Sequence, residues 1–529
     1  MNKRLCMAYG IYVLVALAVL LPMLKPGFIL TLDMVFVPTL RMPDAVTSSY
    51  VFHAGLHVLN FVLPADIIQK LLLTCILLLS SIGLHRLVRL LQPNQQPGEW
   101  GIYIASIFYA INPFTYSRFM AGQYAVLLGY ALLPWLVRLL IAFDRQPDMR
   151  AAVKVGALLA IIGIVSIHTL GSVVILVITG MAIVHSQRPT TIKYTLAALG
   201  VFVLLSSYWL VPLAFGRSQT AHTIQSFTAA DTAAFASTGT SVLARSGNIA
   251  RLQGFWAEGR DLFLLPQDQV ALWGLMALLF LALVATGGMV LWRRHPAIVL
   301  WLVVSMVLAA ALAAGVFSTI LTSLGFREPH KLVALVALGY SVFLAFGSNA
   351  FLSAMQKKSS AVYTVAAVLI VLLPFAFMRG MFWGFNGQLV PRHYPTQWAA
   401  TDQMLQQDSD NYRVLFLPWH QYMSFQFAGR IIANPAPQYF SKSVLMSTDP
   451  ELGGAASGKQ TADQVAIEKL LTTKNDVAPQ LANRNIKYIV LAHEVDWRKY
   501  DFLTRQPGIQ PIYQSNAITL FANHAWEGQ

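Results

Sequence analysis

Charged residues are scarce in this sequence. Only 11% of its 529 residues are Asp, Glu, Lys or Arg, whereas 56% are hydrophobic. A soluble protein carries roughly a quarter charged residues, so this composition excludes an ordinary soluble globular protein. Apolar runs of about 18 residues or more recur along the chain, and each is long enough to cross the hydrocarbon core of a bilayer. The composition therefore predicts a polytopic α-helical protein embedded in a lipid bilayer.

Cysteine and acidic residues are also few. The two cysteines, Cys6 and Cys75, fall in or beside apolar runs and give no indication of a disulfide. The 37 basic residues outnumber the 23 acidic ones, but they flank apolar runs instead of forming one soluble patch, which argues against nucleic-acid binding. No small-residue cleavage site follows the first apolar run, 5–24, so we interpret it as an uncleaved span and not as a signal peptide.

Hydropathy predicts about eleven transmembrane helices in residues 1–379. The sequence contains neither an internal repeat nor a low-complexity segment. The predicted spans are 5–24, 67–91, 100–116, 123–143, 151–168, 170–186, 194–214, 269–292, 297–316, 331–353 and 361–379.

Basic residues in the short connections all fall on one side of the membrane if these spans alternate in direction. The positive-inside rule makes that side the cytoplasm. The N-terminus is then cytoplasmic and the C-terminus extracytoplasmic, which predicts a multi-pass protein of the cytoplasmic (inner) membrane. The residues that set this orientation are Lys3, Arg4, Arg86, Arg89, Arg145, Arg150, Lys154, Arg188, Lys193, Arg293, Arg294, Lys357 and Lys358.

Three long segments then face the exterior: the loops 25–66 and 215–268, and the tail 380–529. The tail has globular composition, and we predict an extracytoplasmic α/β domain there. DNYRVLFLPW, NIKYIVLA and ITLFAN are typical of strands, and TADQVAIEKLLTTK is typical of a helix. SFQFAGRIIANPAPQYF and STDPELGGAASGKQ are predicted loops.

The first external loop carries two candidate aspartates, Asp33 and Asp44, and a polar helix face. Asp44 is placed to cap a helix over AVTSSYVFHAGLHVLNFVL that lies in the membrane interface. His53 and His57 have the i, i+4 spacing of a metal-binding pair, but no carboxylate stands at a ligand spacing beside them. We therefore interpret them as part of the polar face and predict no metal site.

Cations at the outer ends of spans are unusual, because this side should be poor in Lys and Arg. Arg118 follows INPFTYS, and FREPHK contains Arg327, Glu328, His330 and Lys331. These side chains either form an anion site, since Arg and Lys bind phosphate oxygens, or anchor the spans to lipid headgroups. The arginines of loop 215–268 are interpreted as solvated. Aromatic and amide side chains in LPWHQYMSF either stack on a sugar or pack a strand end.

The order of these features resembles the GT-C class of polytopic glycosyltransferases. An N-terminal span precedes an external loop with an early Asp, then come INPF, GQYAVLLGYALLPW and FREPHK, and a NIKYIVL strand follows in an external domain. In particular, the chain is similar to members related to the mycobacterial arabinofuranosyltransferases and to membrane proteins that glycosylate cell-wall polymers.

This resemblance implies transfer of a sugar from a polyprenyl-phosphate donor to an envelope glycan, lipid or protein acceptor at the outer face of the membrane. Asp33 matches the family's catalytic base, although a helix cap or a surface aspartate would have the same appearance. Asp44 is the reserve candidate, and Glu328 is a second carboxylate that orients the acceptor or pairs with Arg327.

Cationic and polar residues would complete the site. Arg118, Arg327, His330 and Lys331 would hold the lipid phosphate. His168 either hydrogen-bonds the substrate or is a buried structural histidine. The first loop has no DxD pair, so neither a metal nor another cofactor is predicted. The sequence leaves open whether transfer inverts or retains the anomeric centre.

Two alternatives remain from the sequence. A transporter or flippase of lipid-linked glycans would place ionisable residues at mid-bilayer and broken helices in two corresponding halves. A non-catalytic scaffold for envelope assembly would retain the layout without activity.

Overall fold

The computed structural model describes residues 3–92, 100–185, 189–452 and 460–528. Arg188, one of the orientation charges, and residues 453–459 of a predicted loop lie outside this part of the chain. The chain is mostly helical as far as Phe377, and its main β-sheet begins at Arg413.

Eight helices in the described ranges are long and apolar enough to cross a membrane. The prediction of about eleven spans is not confirmed, because three predicted spans correspond to helices of only 11, 17 and 17 residues. The eight are α1 (Lys3–Leu20), α3 (Ala65–Leu91), α6 (Tyr124–Arg145), α9 (Pro189–Ala214), α13 (Trp273–Trp292), α14 (Pro296–Ala313), α16 (Val333–Gln356) and α17 (Ser360–Phe377).

The other α-helices of the described residues are shorter, or lie outside the apolar spans. They are α2 (Tyr50–Asn60), α4 (Trp100–Ala110), α5 (Pro113–Met120), α7 (Met149–Val165), α8 (Ile167–Ile183), α10 (Gln219–Gln225), α11 (Ala229–Ala234), α12 (Val242–Ala250), α15 (Ser318–Ser323), the left-handed turn α18 (Phe382–Asn386), α19 (Thr396–Gln407), α20 (Ala436–Tyr439), α21 (Ala462–Thr473) and α22 (Val477–Ala482).

A capping box at Asn112 divides the predicted span 100–116 into α4 and α5. The Asn112 side chain accepts a hydrogen bond from the Thr115 backbone N–H at 3.1 Å, and the Asn112 N–H donates to the Thr115 hydroxyl at 2.9 Å. Pro113 occupies the first helical position, where a backbone N–H would have no acceptor within the helix, so the missing N–H of proline costs nothing there. Helix α5 is therefore a short buried helix of its own, and it carries Arg118.

Ser166 ends α7 and caps α8. Its hydroxyl accepts a hydrogen bond from the Thr169 backbone N–H at 3.2 Å. His168 consequently lies in the first turn of α8, and not at the end of the preceding span as predicted.

Helix α16 forms the centre of the helical bundle. Over an apolar window of 18 residues, 89% of the residues of this span are buried, compared with 17% for the span of α9. A Cβ atom on Gly287 would lie 1.8 Å from the carbonyl oxygen of Phe343, and one on Gly347 would lie 1.9 Å from that of Leu283. The two glycines let α13 and α16 pack backbone against backbone. FREPHK is thus attached to the most rigidly packed helix of the bundle.

The C-terminal segment, residues 391–528, contains the main β-sheet. Its strand order is β6-β3-β7-β9-β8, with β3 parallel to β6 and β7 and with β9 antiparallel to β7 and β8. The predicted strands are β3, β7 and β9, and the predicted helix is α21. The strands of the chain are β1 (Phe28–Ile29), β2 (Pro391–Arg392), β3 (Arg413–Leu417), β4 (Tyr422–Phe425), β5 (Arg430–Ala433), β6 (Ser443–Leu445), β7 (Ile486–Ala492), β8 (Ile509–Gln514) and β9 (Ile518–Asn523).

The hairpin β4–β5 joins the C-terminal segment to the helical bundle. SFQFAGRII was predicted as a loop, and this prediction is wrong, because Tyr422 to Phe425 pair antiparallel with Arg430 to Ala433. One edge of the hairpin binds the chain after α1: Leu32 N–H donates to the Ile431 carbonyl at 3.3 Å, and Ala433 N–H donates to the Leu32 carbonyl at 2.8 Å. These bonds place β5 beside Leu32 of the first loop.

Helix α2 of the first loop is shorter than predicted. It begins at Tyr50 after Ser49, so Asp44 does not cap it. The sequence predicts an apolar face on this helix that includes Val58 and Phe61. These two side chains are 61% and 76% exposed, as a helix lying in a membrane interface requires.

Candidate functional site

A cavity of about 590 Å³ lies where the helical bundle meets the C-terminal segment. Its walls come from the chain after α1, the α5–α6 turn, the first turn of α8, the connection between α9 and α13, the segment just before α16, the hairpin β4–β5 and residues 448–452. Segments that the sequence placed outside the membrane therefore converge at one end of the bundle. Polar and aromatic side chains that line it are Asp33, Gln123, His168, Phe235, Trp256, Arg260, Arg327, Glu328, Lys331, Gln421, Tyr422 and Thr448.

Asp33 occupies the tip of a tight turn. Met34 N–H donates to the Thr31 carbonyl at 2.7 Å, and Thr31 N–H donates to the Met34 carbonyl at 3.2 Å. The Thr31 hydroxyl donates to the Met120 carbonyl at 2.6 Å. The Asp33 N–H donates to the Ala121 carbonyl at 3.0 Å. The turn is therefore attached to the C-terminal end of α5, which carries Arg118.

Gly122 permits this close contact between the two segments. Its φ of +72° lies in the left-handed region that favours glycine. A Cβ atom at this position would lie 2.4 Å from both the Met34 nitrogen and the Thr31 carbonyl oxygen. Only a glycine allows the Asp33 turn to pack against the α5–α6 turn. In the motif GQY, Gly122 therefore permits this backbone contact, and the next residue, Gln123, supplies a polar side chain.

The Asp33 carboxylate accepts one hydrogen bond on each oxygen. Tyr422 donates its hydroxyl proton to Oδ1 at 2.7 Å, and Gln123 donates from Nε2 to Oδ2 at 3.2 Å. The carboxylate is open to the cavity, yet protein surrounds it so closely that desolvation raises the pKa of Asp33. The two hydrogen bonds oppose this rise, and the nearby charge of Glu328 adds to it.

Behind the cavity wall, Arg118 organises a buried polar network. It has no exposed side-chain surface and forms an ion pair with Glu328. Its Nη1 also donates to Gln123 Oε1 at 2.7 Å. Lys331 Nζ lies 3.0 Å from the other Glu328 oxygen. Burial raises the pKa of Glu328, but the charges of Arg118 and Lys331 outweigh it and hold that pKa below its usual range.

The geometry determines the tautomer of His330. A guanidinium has only donors, so the 2.6 Å contact from Arg118 Nη2 makes His330 Nδ1 an acceptor. The proton then lies on Nε2, which donates to the Gln253 carbonyl at 3.0 Å. Arg118 also packs against the rings of Phe255 and Phe114, at 4.4 and 5.3 Å.

Arg118 and His330 were predicted to bind the lipid phosphate, but their surroundings do not match that prediction. Both are fully buried, both are bonded to protein groups, and neither lines the cavity. Neither side chain is therefore placed to contact a phosphate in this cavity.

Arg260 and Arg327 supply accessible positive charge to the cavity. Arg327 does not pair with Glu328 as the sequence suggested. Its Nη1 lies 3.6 Å from Asp231 Oδ1, its guanidinium lies 4.4 Å from the centre of the Phe235 ring, and the side chain is 33% exposed. Arg260 is exposed and lies over Trp256 at 5.5 Å. It has no acidic partner in the described part of the chain.

Two further predicted residues have different outcomes. His168 lines the cavity, and its ring meets Phe326 edge-on with centroids 5.9 Å apart. Asp44 is exposed and does not line the cavity. Over residues 3–92, 100–185, 189–452 and 460–528, no group of three or more His, Cys, Asp or Glu side chains is arranged to hold a metal ion.

Sequence reasoning gives no role to three residues of the site. Gln123 lies in a motif that the sequence does mark, but its bridging position depends on the fold. Arg260 belongs to a loop interpreted as solvated, and Asp231 carries no motif. The one sequence signal for Arg260 as a site residue is its position close to two aromatic residues in FWAEGR.

Comparison with known proteins gives one family. Residues 48–507 match the family model described as alpha-(1->3)-arabinofuranosyltransferase, N-terminal GT-C domain. No curated protein matches the sequence.

Solved structures share the fold. Arabinofuranosyltransferase AftD from mycobacteria superimposes with a TM-score of 0.66 at 16% identity, covering 99% of this chain and 40% of that one. The apo oligosaccharyltransferase of Archaeoglobus fulgidus gives a TM-score of 0.53 at 11% identity, covering 99% of this chain and 74% of that one. The present chain thus spans less than half the length of the mycobacterial protein.

Proposed function

The chain belongs to the alpha-(1->3)-arabinofuranosyltransferase N-terminal GT-C family, and on this premise we propose that it transfers a sugar from a polyprenyl-phosphate donor to a hydroxyl group of a glycan or lipid-linked acceptor. The observation that carries the proposal is a carboxylate, Asp33, held by two donors in a cavity that also presents cations. Arabinofuranose is the first sugar to test, because it is the one named in the family's description.

Asp33 is suited to act as the general base. The acceptor hydroxyl oxygen forms a bond to the anomeric carbon while the bond from that carbon to the phosphate oxygen breaks. Asp33 takes the hydroxyl proton. A carboxylate has about four lone-pair sites, and two are used by Tyr422 and Gln123, so the acceptor hydroxyl can bind as a further donor. The raised pKa makes the carboxylate a better proton acceptor than an exposed aspartate.

Arg260 and Arg327 are suited to bind the leaving phosphate. They line the cavity, and charge develops on the phosphate oxygens as the sugar leaves. Lys331 adds a third positive charge, which is partly used by its ion pair with Glu328. Glu328 is committed to Arg118 and Lys331, so in this proposal it holds the cations in place and does not take the acceptor proton.

The membrane orientation follows from the charge pattern in the sequence. The cavity and the C-terminal segment would lie at the extracytoplasmic face, where a lipid-linked donor has its phosphate at the interface. The apolar α2 residues Val58 and Phe61 support an interfacial position for the first loop. The transporter alternative is less well supported, because the ionisable residues of this cavity lie where the bundle meets the C-terminal segment and not at the middle of the spans.

A transfer assay with matched aspartate variants tests the proposal. Purified protein in liposomes would receive polyprenyl-phosphate arabinofuranose, then other polyprenyl-phosphate sugars, with envelope glycan fragments as acceptors. We expect Asp33→Asn to reduce transfer by about 100-fold or more, the usual contribution of a general base. Asp44→Asn is the control, because it removes an equal charge from the same loop outside the cavity.

The outcomes distinguish Asp33 from Asp44 as the base, and a transferase from a transporter. Retained transfer in Asp33→Asn with loss in Asp44→Asn would move the base to Asp44. Wild-type protein that transfers no sugar, yet moves a fluorescent polyprenyl-phosphate sugar between leaflets, would establish the transporter reading instead.

A further inference from the structure

A second cavity, of about 390 Å³, lies between α11, α12 and α15. It shares no lining residue with the Asp33 cavity. Its one ionisable lining residue is Arg245, and its walls are rich in hydroxyl groups. These belong to Thr228, Thr232, Ser237, Ser318, Thr319, Thr322 and Ser323.

The Arg245 guanidinium has no negative partner in the described ranges. Its Nε donates to the Gly239 carbonyl at 3.2 Å, and its terminal nitrogens have no acceptor there. Gly315, with φ of +100°, leaves room beside it, since a Cβ atom at that position would lie 3.0 Å from Nη1. Asp231, the acidic residue of α11, does not line this cavity and is bonded to Thr228 and Arg327. An arginine kept from carboxylates in a polar cavity indicates an anionic ligand.

Two hydroxyl groups, those of Ser318 and Thr319, are free to donate to such a ligand. Those of Thr322 and Ser323 already donate to backbone carbonyls of α15, at 3.0 and 2.8 Å. Those of Ser318 and Thr319 form no hydrogen bond with the described residues. One guanidinium and two free hydroxyls match a ligand with several acceptor oxygens and negative charge, which is the chemistry of a phosphate group.

The surroundings of the cavity are apolar and exposed. Leu243 of α12 is 83% exposed, Phe317 is 65% exposed and Leu324 is 67% exposed. These three side chains, the apolar rim, belong to α12 or flank α15, the helices that form the cavity. Exposed apolar side chains near a cation are typical of a surface that meets the membrane interface. We propose that this cavity binds the phosphate headgroup of a membrane lipid, with the acyl chains against the rim. The site is separate from the donor cavity, and the proposal does not depend on sugar transfer.

Native mass spectrometry of the full chain in detergent tests the proposal. The probe is phosphatidic acid, compared with diacylglycerol of the same acyl chains, which lacks the phosphate. We expect wild type to bind phosphatidic acid in preference to diacylglycerol, and Arg245→Gln to weaken that binding by about tenfold through loss of a charge-assisted hydrogen bond. Arg251→Gln is the matched control, because it removes the same charge from the C-terminal end of the same helix.

Thr319→Val is the second variant. It removes a hydroxyl donor without changing the charge, and valine has nearly the same shape as threonine at this exposed position. We expect a smaller loss of phosphatidic acid binding with an unchanged melting temperature. Equal binding by wild type, Arg245→Gln and Arg251→Gln would overturn the proposal. Inorganic phosphate that displaces the lipid at equal concentration would identify a free anion and overturn the lipid assignment. Asp33→Asn should leave this binding intact, so failure here and failure of the transferase proposal are distinguishable.

Discussion

The hydroxyl of Tyr422 lies 2.7 Å from Oδ1 of Asp33, although the two residues are 389 positions apart in the chain. This hydrogen bond connects the C-terminal segment to the first loop at the proposed base. The hairpin that carries Tyr422 is anchored to Leu32, the residue before Asp33. The C-terminal segment therefore supplies part of the cavity wall and a direct hydrogen bond to Asp33.

Removing the Tyr422 hydroxyl should change the pH dependence of transfer. A hydrogen bond from Tyr422 stabilises the charged carboxylate and so lowers the pKa of Asp33 against the larger effect of desolvation. Tyr422→Phe should raise that pKa further. Because the base acts when deprotonated, transfer rises as the pH passes the pKa, and the acid limb of the profile should move to higher pH in the variant.

A pH–rate profile of transfer checks this shift. Tyr513→Phe, on strand β8 away from the cavity, is the control and should leave the profile unchanged. An unaltered acid limb in Tyr422→Phe would show that Asp33 is not the group that titrates.

Arg118 should be essential for stability. Arg118→Met leaves Glu328 buried with Lys331 as its remaining cationic partner, and breaking a buried ion pair costs about 3–5 kcal/mol. Thermal unfolding should show a lower midpoint. Adding Glu328→Gln should recover part of the loss, since the carboxylate charge is then gone. Arg251→Met, at an exposed arginine, should have little effect, and an equal loss there would contradict the assignment.

Gly122 should tolerate no side chain. Gly122→Ala places a methyl group 2.4 Å from backbone atoms of the Asp33 turn, at a φ that already favours glycine. We expect both reduced transfer and a lower midpoint of thermal unfolding, because the turn must move away from α5. Gly55→Ala in α2, where a Cβ atom meets nothing within 4 Å, is the control and should be neutral or slightly stabilising.

Arg260 should contribute to donor binding without contributing to folding. Arg260→Gln should raise the KM for the polyprenyl-phosphate donor by about tenfold, as expected for loss of one charge-assisted phosphate contact, while the melting temperature stays the same. Steady-state kinetics with varied donor concentration measure this change. Arg217→Gln, at an exposed arginine of the same connection that does not line the cavity, should keep the wild-type KM.

Much of the fold could be predicted from local signals. Long apolar runs, the strands at 413–417, 486–492 and 518–523, and the helix at 462–473 follow from hydropathy and periodicity within each segment. Predictions failed where a single polar residue interrupts an apolar run, as Asn112 does, because hydropathy averages over that residue. The hairpin β4–β5 was missed because its strands are only four residues each, and they are stabilised by pairing with each other and with Leu32.

The sequence by itself determined that this is a membrane protein, and it marked Asp33 and FREPHK as unusual charges beside apolar spans. Those properties depend on the transfer of side chains between water and lipid, which each segment experiences alone. Only the tertiary structure decided the partners: Glu328 pairs with Arg118, 210 positions away, Arg327 pairs with Asp231, and Tyr422 reaches Asp33. Ion pairs and hydrogen bonds act over a few ångströms, so their partners are set by how the helices and the C-terminal segment pack.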